Sequence, residues 1–187
     1  RKKNPREDLL TDLAESDLTL EQKLSFARIL LIAGNETTTD SLSSTLLLLL
    51  RHPEAMAQLR ADPSMIHGAV EESLRLESPV LGSWRMTTME TNLGGAEIPA
   101  RGVMTPRFGA GNRDEAQFPD AEKFDITRKN AGSHLAFGAG IHHCLGAQLA
   151  RQELYVGFEV LLKRMKNIQL APGKNDFKHR PSSMLRH

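Results

Sequence analysis

The sequence predicts a mainly α-helical protein carrying small β-sheets, and three observations lead there. The first half repeats apolar residues at helical spacing, with capping residues and prolines at the joints. A middle stretch, GSWRMTTMETNLGGAEIPARGVMTPRF from Gly82 to Phe108, breaks into short runs punctuated by Gly-Gly and Pro, the signature of small strands and hairpins. A helical pattern then returns after Cys144. At 187 residues the chain has the length of one ordinary domain with a sizeable core.

Each element follows from local chemistry. Residues 8–15 form a short amphipathic segment, and SDLTLEQKL supplies capping residues for a long helix over 19–51. His52-Pro53 ends that helix, and Pro53 suits the first turn of the next, over 53–60. After ADP a third helix covers 64–76 and is closed by Pro79. Residues 112–132 (NRDEAQFPDAEKFDITRKNAG) are charged and irregular, and long loops of this kind usually carry function. A last helix is expected over 145–165, and the remainder, from IQLAPGK onward, reads as a terminal hairpin.

Composition narrows the function. A formal net charge of +1 argues against nucleic acid or an acidic membrane as a bulk partner. The apolar runs 29-ILLIAG-34 and 46-LLLLL-50 are separated by Asn35, Glu36 and threonines, so neither reaches membrane-spanning length. A single cysteine forms no internal disulfide, which fits a reducing, cytoplasmic compartment or a reserved thiol. The chain starts at Arg1 without a signal peptide and stops without a closing element, which reads as a piece of a longer protein.

That cysteine sits in HLAFGAGIHHCLGAQLAR, residues 134–151. Gly138, Gly140 and Gly146 allow positive φ and let a flat object approach the backbone. A helix starting near Leu145 puts the sulfur at its N-terminus, where the dipole and free N–H groups favour a thiolate. A nucleophile and a metal ligand both suit that setting, and so does a small buried core residue. Zinc is poorly served, because HHC offers adjacent ligands and no second cysteine exists. Covalent c-type haem needs C-x-x-C-H, which is absent. A cysteine protease needs a His and an Asn or Asp that spacing alone does not place.

Phe137-Gly138-x-Gly140-x-His142-x-Cys144-x-Gly146 resembles, without departure, the haem loop of the cytochrome P450 family. The resemblance implies that Cys144 is the axial thiolate of a haem b (iron protoporphyrin IX) and that His142 donates to a propionate. Ala33-Gly34-x-Glu36-Thr37 is similar to the family's oxygen-activation motif, in which acid and alcohol deliver protons. Taken as bare residues, Gly34 weakens the helix, the Thr37 hydroxyl can bond back to the Ala33 carbonyl, and the group reads as a polar patch on a core helix. Glu72-x-x-Arg75 alone is an i,i+3 charge pair of small value. In the family it is completed by an arginine before the cysteine loop, where Arg128 stands, and the triad braces that loop. Arg85 sits where the family's small sheet contacts a propionate.

The resemblance covers essentially the whole chain and implies the C-terminal, haem-binding half of a soluble bacterial P450 fold, 1–187. It implies a monooxygenase that takes O2, a small apolar organic substrate and electrons from a ferredoxin or flavodoxin-type donor. Glu36 and Thr37 would be catalytic, and Ala33, Thr37, Val80, Leu81 and Met184 would face substrate, with Ser83 and Ser183 near them. Trp84 suits core or substrate. Arg151 and Lys163 are candidates for donor docking. Family domains are about twice this length, so the N-terminal half is a further expected partner, carried on a separate chain if not on this one. The competing reading is a truncated, catalytically incomplete haem-binding or structural fragment.

Overall fold

In the computed structural model, residues 2–173 and 177 are described. The chain divides into two compact units, Arg1–Thr37 and Thr38–His187, where its length alone suggested one. The difference has a physical origin in the first unit. Thr11 is its one buried residue among the described residues, while Leu20, Ile29, Leu31 and Ile32 are all more than half exposed. A unit with so little burial has no core of its own.

Helix α1 (Leu9–Glu15) is capped by Asp8, whose carboxylate accepts the Thr11 N–H at 2.9 Å. Helix α2 (Leu20–Arg51) opens with a reciprocal capping box. The Thr19 hydroxyl accepts the Gln22 N–H at 3.2 Å, and the Gln22 side chain accepts the Thr19 N–H at 2.9 Å. The helix runs unbroken through Gly34 to His52-Pro53, and Pro53 then starts α3 (Pro53–Ala61). A 3-10 turn at Pro63–Met65, capped by Asp62, leads into α4 (Ile66–Leu76), so the third expected helix is split by a tighter first turn. It also ends at Leu76, three residues before Pro79.

The middle stretch forms two antiparallel ribbons. Strands β1 (Arg85–Met86) and β4 (Val103–Met104) pair with Arg85 opposite Met104. Between them β2 (Thr91–Leu93) and β3 (Ala96–Ile98) make a hairpin. Its two-residue turn places Gly94 and Gly95 at φ 59° and 89°, a conformation that glycine adopts without strain. A single helical turn, α5 (Phe108–Gly111), precedes the irregular segment. The last helix, α6 (Ala147–Arg164), starts two residues later than expected because Gly146 occupies its N-cap. Residues 168–173 hold no strand; the rest of the expected terminal hairpin, and Ser183 and Met184, lie outside the described residues.

The core of the second unit joins Leu48 and Leu49 of α2, Leu59 of α3, Val70 and Leu74 of α4, and Leu154 and Phe158 of α6, with Phe124 and Ile126 from the irregular segment. Helix α4 is the centre of this packing: Val70 is fully buried and Ala69 nearly so. At Gly68 the helix lies so close to the Ile126 carbonyl that a Cβ would overlap its oxygen. Gly68→Ala should therefore destabilise the fold by about 1–3 kcal/mol, the usual range for overpacking. Chemical denaturation would measure it, and an unchanged midpoint would contradict the close approach.

Candidate functional site

Glu72 and Arg75 project from α4 into the protein, and both side chains are completely buried. Arg75 donates from Nε to Glu72 Oε2 and from Nη2 to Oε1, each at 2.8 Å. Its Nη1 donates to the carbonyls of Asn112 and Ala121, both at 2.7 Å, and Nη2 also reaches Lys123 O at 3.2 Å. All five guanidinium N–H donors are thereby used. Glu72 Oε1 accepts in addition from Arg128 Nε at 3.1 Å and from the Asp125 N–H at 3.0 Å. Arg128 spends its other donors on the Pro119, Asp120 and Lys123 carbonyls. The three side chains thus meet, and they hold backbone that has no ladder of its own.

Asn112 was not singled out from sequence, yet it is fully buried and ties this network to the cysteine loop. Its Oδ1 accepts the Leu135 N–H at 2.6 Å, and its Nδ2 donates to Ser78 Oγ at 2.9 Å.

The loop itself begins at His134, after a 3-10 turn at Ala131–Ser133. Gly138 and Gly140 both adopt φ 68°, the left-handed region that favours glycine. A second 3-10 turn, Gly140–His142, follows. The Cys144 N–H returns to the Phe137 carbonyl at 2.9 Å, closing the loop, and the Cys144 carbonyl accepts the Ala147 N–H. Residues 139–146 are exposed, including His142 and Cys144, so the thiol is not a core residue of this chain. Beside it Ile141 and Leu145 are 98% and 85% exposed.

Below the loop lies a second charged cluster. Glu71, next to Glu72 in sequence, accepts a forked pair of bonds from Arg151 at 2.7 and 3.0 Å and the Tyr155 hydroxyl at 2.9 Å. Its Oε2 also stands 3.2 Å from Nε2 of the buried His134. Burial alone would raise the Glu71 pKa, but the close approach of His134 and the bonds and charge of Arg151 hold it down at about 2. Burial and the adjacent carboxylate push the Tyr155 phenol up to about 12. Arg151 was a candidate for docking an electron donor; it is instead committed inward, paired with Glu71 and stacked 4.5 Å over the Phe137 ring. Lys163 is exposed in the last turn of α6.

Of the remaining expected residues, Arg85 donates to Ser83 Oγ at 2.7 Å and to Trp84 O at 2.8 Å. Val80 and Leu81 are half-buried, with the Leu81 carbonyl accepting the Gly109 N–H, and Trp84 is 56% exposed rather than core. In the first unit the Thr37 hydroxyl donates to the Ala33 carbonyl at 2.7 Å, and Ala33, Gly34 and Glu36 are exposed.

The sequence matches the Cytochrome P450 family model over residues 2–69 and 63–185. The chain belongs to the cytochrome P450 family. Among relatives, Cytochrome P450 107B1 of Saccharopolyspora erythraea is 40% identical over 100% of this chain and 47% of its own length. Cytochrome P450 monooxygenase PikC of Streptomyces venezuelae is 41% identical over 96% of this chain and 45% of its own. The solved structure of Cytochrome P450 CYP109Q5 from Chondromyces apiculatus superposes with a TM-score of 0.92 at 44% identity, covering 100% of this chain and 49% of that one. The chain spans about half the length of the curated relatives it matches.

Membership in the P450 family implies a haem cofactor, and the residues present fit one. Among the described residues no group of three or more His, Cys, Asp or Glu side chains converges to hold a bare ion. One thiolate is sufficient for a metal that brings its own in-plane ligands. Exposed Ile141 and Leu145 offer an apolar seat, and the space beside Gly140 is open. Among the described residues no helix is long and apolar enough to cross a membrane.

Arg75→Ala should cost about 3–5 kcal/mol, because it leaves Glu72 charged, buried and short of its main partner. Arg75→Lys should recover little of this, since an ammonium cannot reproduce the five-donor fork. Urea titration of both variants would show it; a loss under about 1 kcal/mol for Arg75→Ala would mean the pair is not the anchor.

Proposed function

We propose that this chain is the haem-ligating part of a P450 monooxygenase that inserts one oxygen atom from O2 into a small apolar organic substrate. The observation that carries the reading is the exposed Cys144 thiol on a closed, glycine-turned loop with apolar neighbours. Haem b, fed with electrons by a ferredoxin or flavodoxin-type donor, would supply the oxygen-inserting chemistry.

The chain's own residues have separable tasks in this reading. Cys144 would hold the haem iron through its thiolate, and the Phe137 carbonyl fixes its backbone through the Cys144 N–H. His142 and Arg85 are the propionate-binding residues, since both are cationic or polar donors in segments that match the family motifs. Phe137, Gly138, Gly140 and Gly146 shape the seat. Glu36 and Thr37 move protons: the acid supplies them, and the hydroxyl, bonded to Ala33 O, keeps its oxygen available to accept and pass one on. Ala33 and Thr37 in the first unit, and separately Val80 and Leu81 in the second, are the substrate-facing residues of this reading. Glu72, Arg75 and Arg128 brace the segment beneath and touch no reacting atom.

A second reading is favoured by one observation. Ile29, Leu31 and Ile32 of α2, and Ile141 and Leu145 of the loop, are all more than half exposed. On this reading the chain alone is an incomplete piece that binds haem weakly and turns nothing over, and function needs the other half of a P450 domain. Reconstitution separates the two. A red-shifted Soret band from the dithionite-reduced carbonyl complex is expected of a thiolate-ligated iron. A blue-shifted band or no uptake would favour the incomplete piece.

Two substitutions test the assignments in the full-length haem protein. Cys144→Ser should abolish the red-shifted carbonyl band, and its survival would remove Cys144 as ligand. Thr37→Ala should leave that band intact while diverting electrons from product into peroxide and water. Product formed per electron pair measures this, and unchanged coupling would end the relay assignment.

A further inference from the structure

We propose that Glu71 is a positioning residue for the cysteine loop, acting through His134 on one side and through Arg151, stacked on Phe137, on the other. The inference deepens the reading above and rests on Cys144 being the haem ligand.

Adjacent residues on a helix point about 100° apart, so Glu71 and Glu72 address different parts of the protein. Glu72 holds the irregular segment through Arg75 and Arg128. Glu71 pairs instead with the lead-in to the loop and with Arg151 and Tyr155 in the first three turns of α6. Its carboxylate takes the Arg151 fork through both oxygens, the geometry that fixes a guanidinium in one plane. Its central carbon lies 4.5 Å from the centroid of the Phe137 ring, close enough for a cation–π contact. Phe137 in turn offers its carbonyl to the Cys144 N–H. Two contacts therefore separate Arg151 from the ligand's backbone.

His134 closes the other side. Its Nδ1 accepts the Ala136 N–H at 3.1 Å, and its buried Nε2, which has no aligned hydrogen-bond partner, stands 3.2 Å from Glu71 Oε2. Residues 134, 136 and 137 are thus all referred to one carboxylate. Beyond them residues 139–146 are exposed and rely on this lead-in for their position. A solvated surface bridge would contribute little to such a loop, but Glu71 is only 15% exposed and His134 not at all. The consequence is for ligand placement: when the lead-in shifts, Sγ shifts with it.

The test uses the full-length haem protein and its apoprotein, with Glu71→Gln and, in case that variant folds poorly, Arg151→Lys. Arg151→Lys keeps the charge and loses the fork and the stacking. Amide hydrogen exchange should speed up about tenfold at Ala136 and Cys144, the scale of one charge-assisted bond, while Val70 and Leu74 in α4 stay protected. In the reduced carbonyl complex the red-shifted thiolate band should lose at least about half its share to the blue-shifted one. The double variant should be no worse than the stronger single one. Unchanged exchange and an unchanged band ratio would overturn the proposal. So would equal loss of protection in loop and α4, because Glu71 would then serve the whole fold. If the wild-type protein lacks the red-shifted band, the haem-ligand reading fails, and exchange in the apoprotein still decides whether Glu71 holds the loop.

Discussion

One buried guanidinium organises the second unit. Arg75 sits at zero exposure with every donor occupied, and only two of its five bonds go to the carboxylate that neutralises it. The others go to main-chain carbonyls at positions 112, 121 and 123, which are 37 to 48 residues from Arg75 and share no strand or helix. A charge buried in this way is tolerable only when its partners are complete. Completing them forces the irregular segment into one path, and Phe124 and Ile126 can then enter the core beside α4. The path also sets Asn112, whose amide reaches across to the loop at Leu135. Electrostatics, packing and loop placement are in this sense one arrangement.

The cysteine loop is supported differently. It has almost no buried apolar residue beyond Ala136, and its shape comes from two left-handed glycines and a short set of backbone bonds. Such a loop can present a thiol and a flat apolar surface together, which a helix or strand would not do without side chains intervening. Its precision has to be supplied from underneath, by Asn112 and by the Glu71 cluster.

Much of this was legible in the sequence, for a definable reason. Helices α1, α2 and α3, with caps or prolines at their ends, rest on interactions within a few residues, and so does the Gly-Gly hairpin. The cysteine loop was legible because glycine, cysteine and histidine at fixed spacing form a long pattern. The second cluster was not. Glu71 meets Arg151 and Tyr155 across 80 and 84 positions, and Asn112 meets Ser78 and Leu135 across 34 and 23. Pairs that distant leave no local signal, so Arg151 looked like a solvated helix charge. For the Glu72–Arg75 pair the local spacing was visible, but its burial depends on carbonyls that arrive from elsewhere. Burial, not spacing, separates an anchor from an ordinary surface pair.

Residues 112–128 look like a loop by every local measure, and loops ordinarily absorb insertions and deletions. This one has no such freedom. Adding or removing a single residue between 112 and 123 would carry a carbonyl away from the buried guanidinium whose donors it satisfies. The tolerant site lies instead at the exposed Gly94-Gly95 turn, where a Cβ on either glycine would meet nothing within 4 Å. Length variation between versions of this chain is therefore to be looked for in a strand hairpin, and length constancy in a segment without regular structure.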